Sequence, residues 1–145
     1  MLDLIFSTSR AGAEAFSWPD PFAVISMTDP GSRPVAFKQP SLVALCRLEF
    51  WDLDFEPDDD RVVFDAVMAR TILKFVGREC GAAKLLLVHC EAGVSRSTGL
   101  ANTLGEILSV DVRHQNALFL NPNALVVRLL HEEARRRKAA PGEVT

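Results

Sequence analysis

Leu85-Leu86-Leu87-Val88-His89-Cys90-Glu91-Ala92-Gly93-Val94-Ser95-Arg96-Ser97-Thr98 reads as an apolar strand that runs through a short loop into a helix. The unbroken aliphatic run, expected as a strand over Lys84 to Val88, has no polar face to offer water. It therefore belongs at the centre of a parallel sheet covered on both sides. Parallel strands need crossover connections, which are usually helices. The expected fold is α/β: a three-layer domain with a short, mostly parallel central sheet flanked by helices, and the loop at the strand ends where ligands of such sheets gather.

The loop carries the chemistry. Ala92 and Gly93 are small, so the backbone of Glu91, Ala92, Gly93, Val94, Ser95 and Arg96 can curl into a cup with its N–H groups turned inward. A helix expected over Ser95 to Leu108 adds its unpaired N–H groups and the positive end of its dipole, which suits an oxyanion. Arg96 brings a planar fork able to hold two oxygens at once, as a lysine could not. Phosphate is the natural guest. Cys90 stands at the start of the cup, where the helix terminus and the guanidinium favour the thiolate, the nucleophilic form. Ser97 can donate a hydrogen bond to that sulfur, as thiolate and later as leaving group. His89 is expected to support and orient the loop rather than to transfer protons.

The His, Cys, Gly, Ser, Arg and Ser of this segment, at these spacings, resemble the signature of the cysteine-dependent protein tyrosine phosphatases. The ending Ser95-Arg96-Ser97 is most similar to the dual-specificity branch, as found in compact bacterial and phage-type members. The resemblance implies hydrolysis of phosphomonoesters through a phosphocysteine intermediate, with phosphotyrosine the leading substrate and neither metal nor cofactor required. Cys90 would attack phosphorus while the loop amides and Arg96 hold the oxygens. The chain is too short for the recognition elements of larger members, so a shallow cup that also admits phosphoserine and phosphothreonine is expected. Lipid phosphatases of the superfamily carry lysines where this loop has Glu91, Ala92 and Val94, and inositol-phosphate hydrolases share the opening His-Cys-Glu-Ala-Gly-Val but are larger and differ after it. RNA 5′-triphosphatases share the chemistry, but no basic groove is evident. The alternatives are an inositol-phosphate or other non-protein phosphomonoesterase, or a module that binds phosphate without turnover.

Phosphoryl transfer also needs a proton donor for the leaving oxygen. The acidic loop Phe50-Trp51-Asp52-Leu53-Asp54-Phe55-Glu56-Pro57-Asp58-Asp59-Asp60 holds six candidates. Asp58, Asp59 and Asp60 are expected to open the next helix, where carboxylates cap free N–H groups. Asp52 and Asp54 sit nearer the expected C-terminal edge of the sheet. Asp52 is preferred because Phe50-Trp51-Asp52 matches a Phe-x-Asp pattern of the compact members that the chain resembles; Asp54 is the alternative. They precede Cys90 by 38 and 36 residues, slightly more than the family spacing. Trp18-Pro19-Asp20 copies the acid-bearing tripeptide of larger tyrosine phosphatases, but it lies 70 residues before Cys90 and is read as a turn.

Around these motifs the chain reads as a succession of short elements. Strands are expected at Leu2 to Phe6, at Phe22 to Met27, closed by the turn Asp29-Pro30-Gly31-Ser32, and at Leu42 to Phe50. In the third strand Leu42, Leu45, Leu48 and Phe50 are the apolar residues, with Cys46 packed inside. Ser7 to Ala15 has no definite form and Ser32 to Pro40 reads as loop. A helix over Val62 to Cys80 would bury Val63, Phe64, Val67, Met68, Ile72, Phe75 and Val76 and end at Gly77 or Gly81. The helix after the cup would turn Leu100, Leu104, Ile107 and Leu108 inward, with Gly99, Ala101 and Gly105 allowing close packing. Asp111 to Leu120 reads as a short helix or ordered loop carrying a structural or exposed His114. Asn121-Pro122 starts a last helix, Asn123 to Lys138, with Leu125, Val126, Leu129 and Leu130 facing the core. Its basic end, Arg135-Arg136-Arg137-Lys138, reads as a solvated turn, and Ala139 to Thr145 as a frayed tail.

A chain of 145 residues, 48% of them hydrophobic, is expected to form a single catalytic domain over 1–145. A net charge of −3 speaks against nucleic acid as a partner, and no segment reaches membrane-spanning length. The expected partner is a phosphorylated protein or a small phosphomonoester. Three cysteines, Cys46, Cys80 and Cys90, without framework spacing suggest a reducing compartment, and Met1 to Phe6 lacks the form of a signal peptide, so a cytoplasmic location is expected. Oxidation of Cys90 onto Cys46 or Cys80 is a conceivable form of regulation.

Overall fold

The computed structural model describes residues 1–116 and 118–139. Its elements run β1 (Leu4–Thr8), α1 (Arg10–Glu14), β2 (Phe22–Thr28), β3 (Leu42–Glu49), α2 (Ala66–Glu79), β4 (Leu85–His89), α3 (Arg96–Leu108), β5 (Asp111–His114) and α4 (Ala124–Ala139). The strands form one sheet in the order β3-β2-β4-β1-β5, and every pairing is parallel. The sheet is thus wholly rather than mostly parallel, with β4 at its centre.

Strand composition follows position in the sheet. All residues of β2 and β4 are buried, as expected of strands with a neighbour on each side and a layer on each face. Edge strand β3 alternates between half-buried and exposed residues, so Leu45 points outward and Cys46 is only partly buried, contrary to expectation. Alternation along the strands builds two cores. Ile5, Ile25, Met27, Leu86 and Val88 pack with α2, α3 and α4 on one face. On the other, Phe22, Val24, Leu85 and Leu87 pack under Ala13 of α1 and the irregular residues Phe16, Trp18, Val35 and Phe37.

Several boundaries move. β1 and β4 each extend to the C-terminal side of their expected ends, reaching Thr8 and His89. Asp58, Asp59 and Asp60 do not open α2: Asp59 pairs with Arg61 instead, and the cap is Asp65, whose carboxylate accepts the Met68 N–H at 2.8 Å. Residues 62–65 lie outside the helix, and among them Phe64 meets the Phe50 ring 5.3 Å away. The helix begins only after that aromatic has been delivered to the core. Its buried face is Ala69, Ile72, Leu73 and Phe75, while Val67 is exposed. Gly77 lies within α2, which ends at Glu79 with Cys80 as its C-cap.

Leu100 and Leu104 of α3 are fully buried, but Leu108, at the last turn, is exposed. Gly99 lies so close to the start of α4 that a Cβ there would sit 3.1 Å from Asn123 N, which gives the expected close packing its physical reason. Asp111 to Leu120 is neither helix nor loop throughout, since Asp111–His114 forms strand β5 against Leu4–Ser7. His114 is partly buried and bonded to Asn102. Asn123 is the N-cap of α4 rather than its first residue, and of the expected tail only Ala139 lies within the described residues. None of the described helices is long and apolar enough to cross a membrane.

Candidate active site

The cup forms directly after the central strand. Thr8 O at the end of β1 accepts the Cys90 N–H, and Glu91 O accepts the Arg10 N–H, so the neighbouring strand and α1 hold the loop's entry. Gly93 adopts φ +74°, a left-handed conformation that curls the loop back over the thiol. A side chain there would be blocked as well as strained, because a Cβ would fall 2.6 Å from Ser9 N and 2.8 Å from Thr8 C. The curl brings the Gly93 N–H to 3.2 Å from Cys90 Sγ. On the exit side, Val94 O and Ser95 O accept N–H groups from Asn121 and Asn123, and Thr98 Oγ1 donates back to Val94 O.

Ser95 is the N-cap residue of α3, yet its hydroxyl caps nothing in the helix. It donates instead to Asp52 Oδ1 at 2.8 Å. The first N–H groups of α3 are thereby left to whatever anion occupies the cup.

Cys90 is 2% exposed, and its sulfur lies 3.2 Å from Ser97 Oγ, which in turn lies 3.2 Å from Ser7 Oγ. With the thiol ionised, Ser97 donates to sulfur and accepts from Ser7. His89 is fully buried, and its Nδ1 lies 3.0 Å from Cys90 O. A carbonyl only accepts, so Nδ1 carries the hydrogen and Nε2 accepts from Ser26 Oγ at 2.6 Å. Burial holds the imidazole below its ordinary range, which favours the neutral form.

Arg96 is 5% exposed. One terminal nitrogen, Nη1, donates to Asp29 Oδ1 at 2.8 Å and to Phe50 O at 2.7 Å, while the buried Nε has no hydrogen-bond partner. The guanidinium is therefore pinned along one edge, and the opposite edge, Nε with Nη2, is the one that can hold two oxygens. Glu91 contributes only backbone to the cup, because its carboxylate takes the Asp29 N–H and faces Arg10 at 3.7 Å.

Cys90, Arg96, the loop residues Glu91, Ala92, Val94 and Ser95, and both Asp52 and Asp54 line one cleft of about 340 Å³. Asp54 Oδ1 accepts the Ala124 N–H at the start of α4, whereas Asp52 reaches the cup itself through Ser95. Asp20 lines a different hollow, with Asp3 and Lys84, where the strands begin. The seven residues of β2, roughly 23 Å at a strand's rise, separate it from the site.

Cys46 and Cys80 are also remote. Cys46 pairs with Ile25 and Ile25 with Val88, which puts two strand spacings, about 10 Å, between Cys46 and β4. Cys80 caps the end of α2 before β4 begins. Neither can bridge to Cys90 without backbone movement. Among the described residues, no cluster of three or more histidine, cysteine or acidic side chains could hold a metal ion.

Asp29, Ser7, Ser26 and Asn123 belong to the site but were not singled out in the sequence. For Asp29 a signal existed: an acidic residue immediately after a wholly buried strand of a parallel sheet stands at the edge where sites form. For Asn123 the helix-start pattern hid a second use. No family model, curated protein or solved structure matches the chain.

Proposed function

We propose that the chain hydrolyses phosphomonoesters, with phosphotyrosine in proteins as the leading substrate, by nucleophilic catalysis at Cys90. The observation that carries this reading is the setting of the Cys90 sulfur, 3.2 Å from both the Gly93 N–H and Ser97 Oγ, in a cleft that also holds Arg96 and Asp52. In the first step Sγ forms a bond to phosphorus as the ester P–O bond breaks, and the leaving oxygen takes a proton from Asp52. Loop amides, the free N–H groups of α3 and the Nε edge of Arg96 hold the three remaining oxygens, where charge is concentrated. In the second step Asp52 takes a proton from water, the water oxygen bonds to phosphorus, and Sγ leaves as thiolate with a hydrogen bond from Ser97. Inorganic phosphate is released and the site is restored.

Charge at the mouth selects among substrates. Asp52 and Asp54 line it against a single guanidinium, which Asp29 already pairs. A polyanionic inositol phosphate meets repulsion there, and a monoester on a neutral or basic peptide does not.

The test is phosphate release, in the presence of a chelator, from phosphotyrosine, phosphoserine and phosphothreonine peptides and from inositol phosphates, with Cys90→Ser as control. Cys90-dependent release from phosphotyrosine peptides supports the reading, and release from all three peptides extends it to dual specificity. Preferential release from inositol phosphates would overturn the substrate assignment. Phosphate binding without any release would point to a binding module.

A further inference from the structure

We infer that Asn123 is a positioning residue that fixes the Asp52 carboxyl for proton transfer, an inference that rests on the phosphomonoesterase reading of the site. Asn123 is 1% exposed and precedes the first residue of α4. Its Nδ2 donates to Asp52 Oδ1 at 2.8 Å and to Leu53 O at 3.1 Å, while its Oδ1 accepts the Val126 N–H at 3.0 Å. Its own N–H donates to Ser95 O, also at 3.0 Å. One residue thereby ties the acid loop, the cup and the start of the last helix together.

The loop needs such an anchor. Residues 50–65 form no helix or strand; backbone bonds from Phe50 N–H to Thr28 O and from Trp51 N–H to Val62 O hold the start of the loop, and the aim of the Asp52 carboxyl is left to the side chains around it. Asparagine suits the task because one planar amide both donates and accepts: the acceptor caps α4 and the donor faces a carboxylate. The Ser95 hydroxyl donates to the same Oδ1, at 2.8 Å. With two donors on Oδ1, that oxygen is the unprotonated one and the catalytic proton resides on Oδ2. Asn123 and Ser95 thus together set which oxygen delivers the proton to the ester oxygen as the P–O bond breaks, and Asn123 also holds the backbone beside it through Leu53 O.

Serine and aspartate cap helices about as well as asparagine. Asn123→Ser therefore keeps the cap of α4 and removes the donor to Asp52, and Asn123→Asp keeps the cap and sets a second carboxylate against it. The experiment measures kcat/KM for aryl phosphates across a series of leaving phenols, for the unmodified protein, both Asn123 variants, Asp52→Asn, Cys90→Ser and the double variant Asp52→Asn with Asn123→Ser. Thermal melts run alongside to show that each protein is folded. Both Asn123 variants are expected to steepen the dependence on leaving group. Asn123→Ser should lose about ten-fold on the poorest leaving group and under about two-fold on the best, part of the full general-acid effect. The double variant should be no slower than Asp52→Asn alone. A uniform loss across the series, or an unchanged slope beside a steepened Asp52→Asn, would overturn the inference while leaving the function standing. Absence of Cys90-dependent turnover in the unmodified protein would overturn both.

Discussion

Gly93→Ala tests the geometry of the cup, and Gly31→Ala calibrates it. Both glycines have positive φ, +74° and +81°. A methyl group at Gly31 meets nothing within 4 Å, so the cost there is conformational alone, about 1–2 kcal/mol for an L-residue held left-handed. At Gly93 the same cost applies, and the new Cβ also falls 2.6 Å from Ser9 N and 2.8 Å from Thr8 C. Those are backbone atoms, anchored by β1 and the start of α1, so no side-chain rotation relieves the contact. Overpacking of this kind costs roughly 1–3 kcal/mol more. For a domain of this size 1 kcal/mol corresponds to roughly 3 °C in Tm, so Gly93→Ala should melt roughly 6–15 °C below the parent and Gly31→Ala only about 3–6 °C below. If the loop yields instead of the strand, the Gly93 N–H swings away from the sulfur and the cup opens. The assay is thermal melting with and without inorganic phosphate, since a ligand bound only by the folded state raises Tm by mass action. The parent and Gly31→Ala should shift upward with phosphate, and Gly93→Ala should shift little. Equal Tm losses in the two variants, or a full phosphate shift in Gly93→Ala, would refute the steric argument.

Three further outcomes follow from the same geometry. Burial, with Glu79 nearby, pushes the Cys46 thiol up to about 11 and the Cys80 thiol up to about 12, so iodoacetamide at neutral pH should alkylate Cys90 and spare both, with phosphate protecting; mass-spectrometric mapping that finds Cys46 labelled first would contradict this. Because burial lowers the His89 pKa, the unfolded chain takes up a proton near pH 6.5 before the folded one does, and stability should fall as pH drops below that value, His89 contributing at most about 1.4 kcal/mol per pH unit and His114, lowered by the same cause, adding to it. Urea unfolding at several pH values should show this slope reduced in His89→Gln; identical slopes would exclude His89 as its source. Asp65→Ala should cost about 1 kcal/mol through the lost α2 cap, whereas Asp59→Ala, outside the helix, should change chemical-denaturation midpoints far less.

The parts that were legible in the sequence are those whose causes are local. Within Leu85 to Thr98 an aliphatic run, a glycine at the tight turn and a helix start follow one another, and each is stabilised by its immediate neighbours. The same holds for β2 and the inward face of α4. What escaped depended on distant partners. Strand β5 has four residues and an edge position, so it offers too little periodicity to distinguish it from loop, and its partner Leu4–Ser7 lies about a hundred residues earlier. Three consecutive aspartates made a stronger capping signal than Asp65 alone, yet Phe64 packs on Phe50, and that contact holds the helix start back.

The same distinction explains the uneven legibility of the site. The proposed nucleophile, the cup and the guanidinium occupy seven consecutive positions, Cys90 to Arg96, because an anion cradle is made by one turn of backbone feeding one helix. On the proposed reading, an acid for the leaving-group side of the phosphorus cannot come from that turn, whose amides would hold the other oxygens. It has to arrive from another strand end, and its aim then depends on whatever packs beside it. Asp52 arrives after β3, Asp29 steadies Arg96 from the end of β2, and Asn123 reaches both Asp52 and the cup from the start of α4. Each of these residues has an ordinary local reading, as loop acid, turn former or helix cap. Only the parallel order of the strands, which sets the ends of β2, β3 and β4 side by side, turns those ordinary readings into one constellation around Cys90.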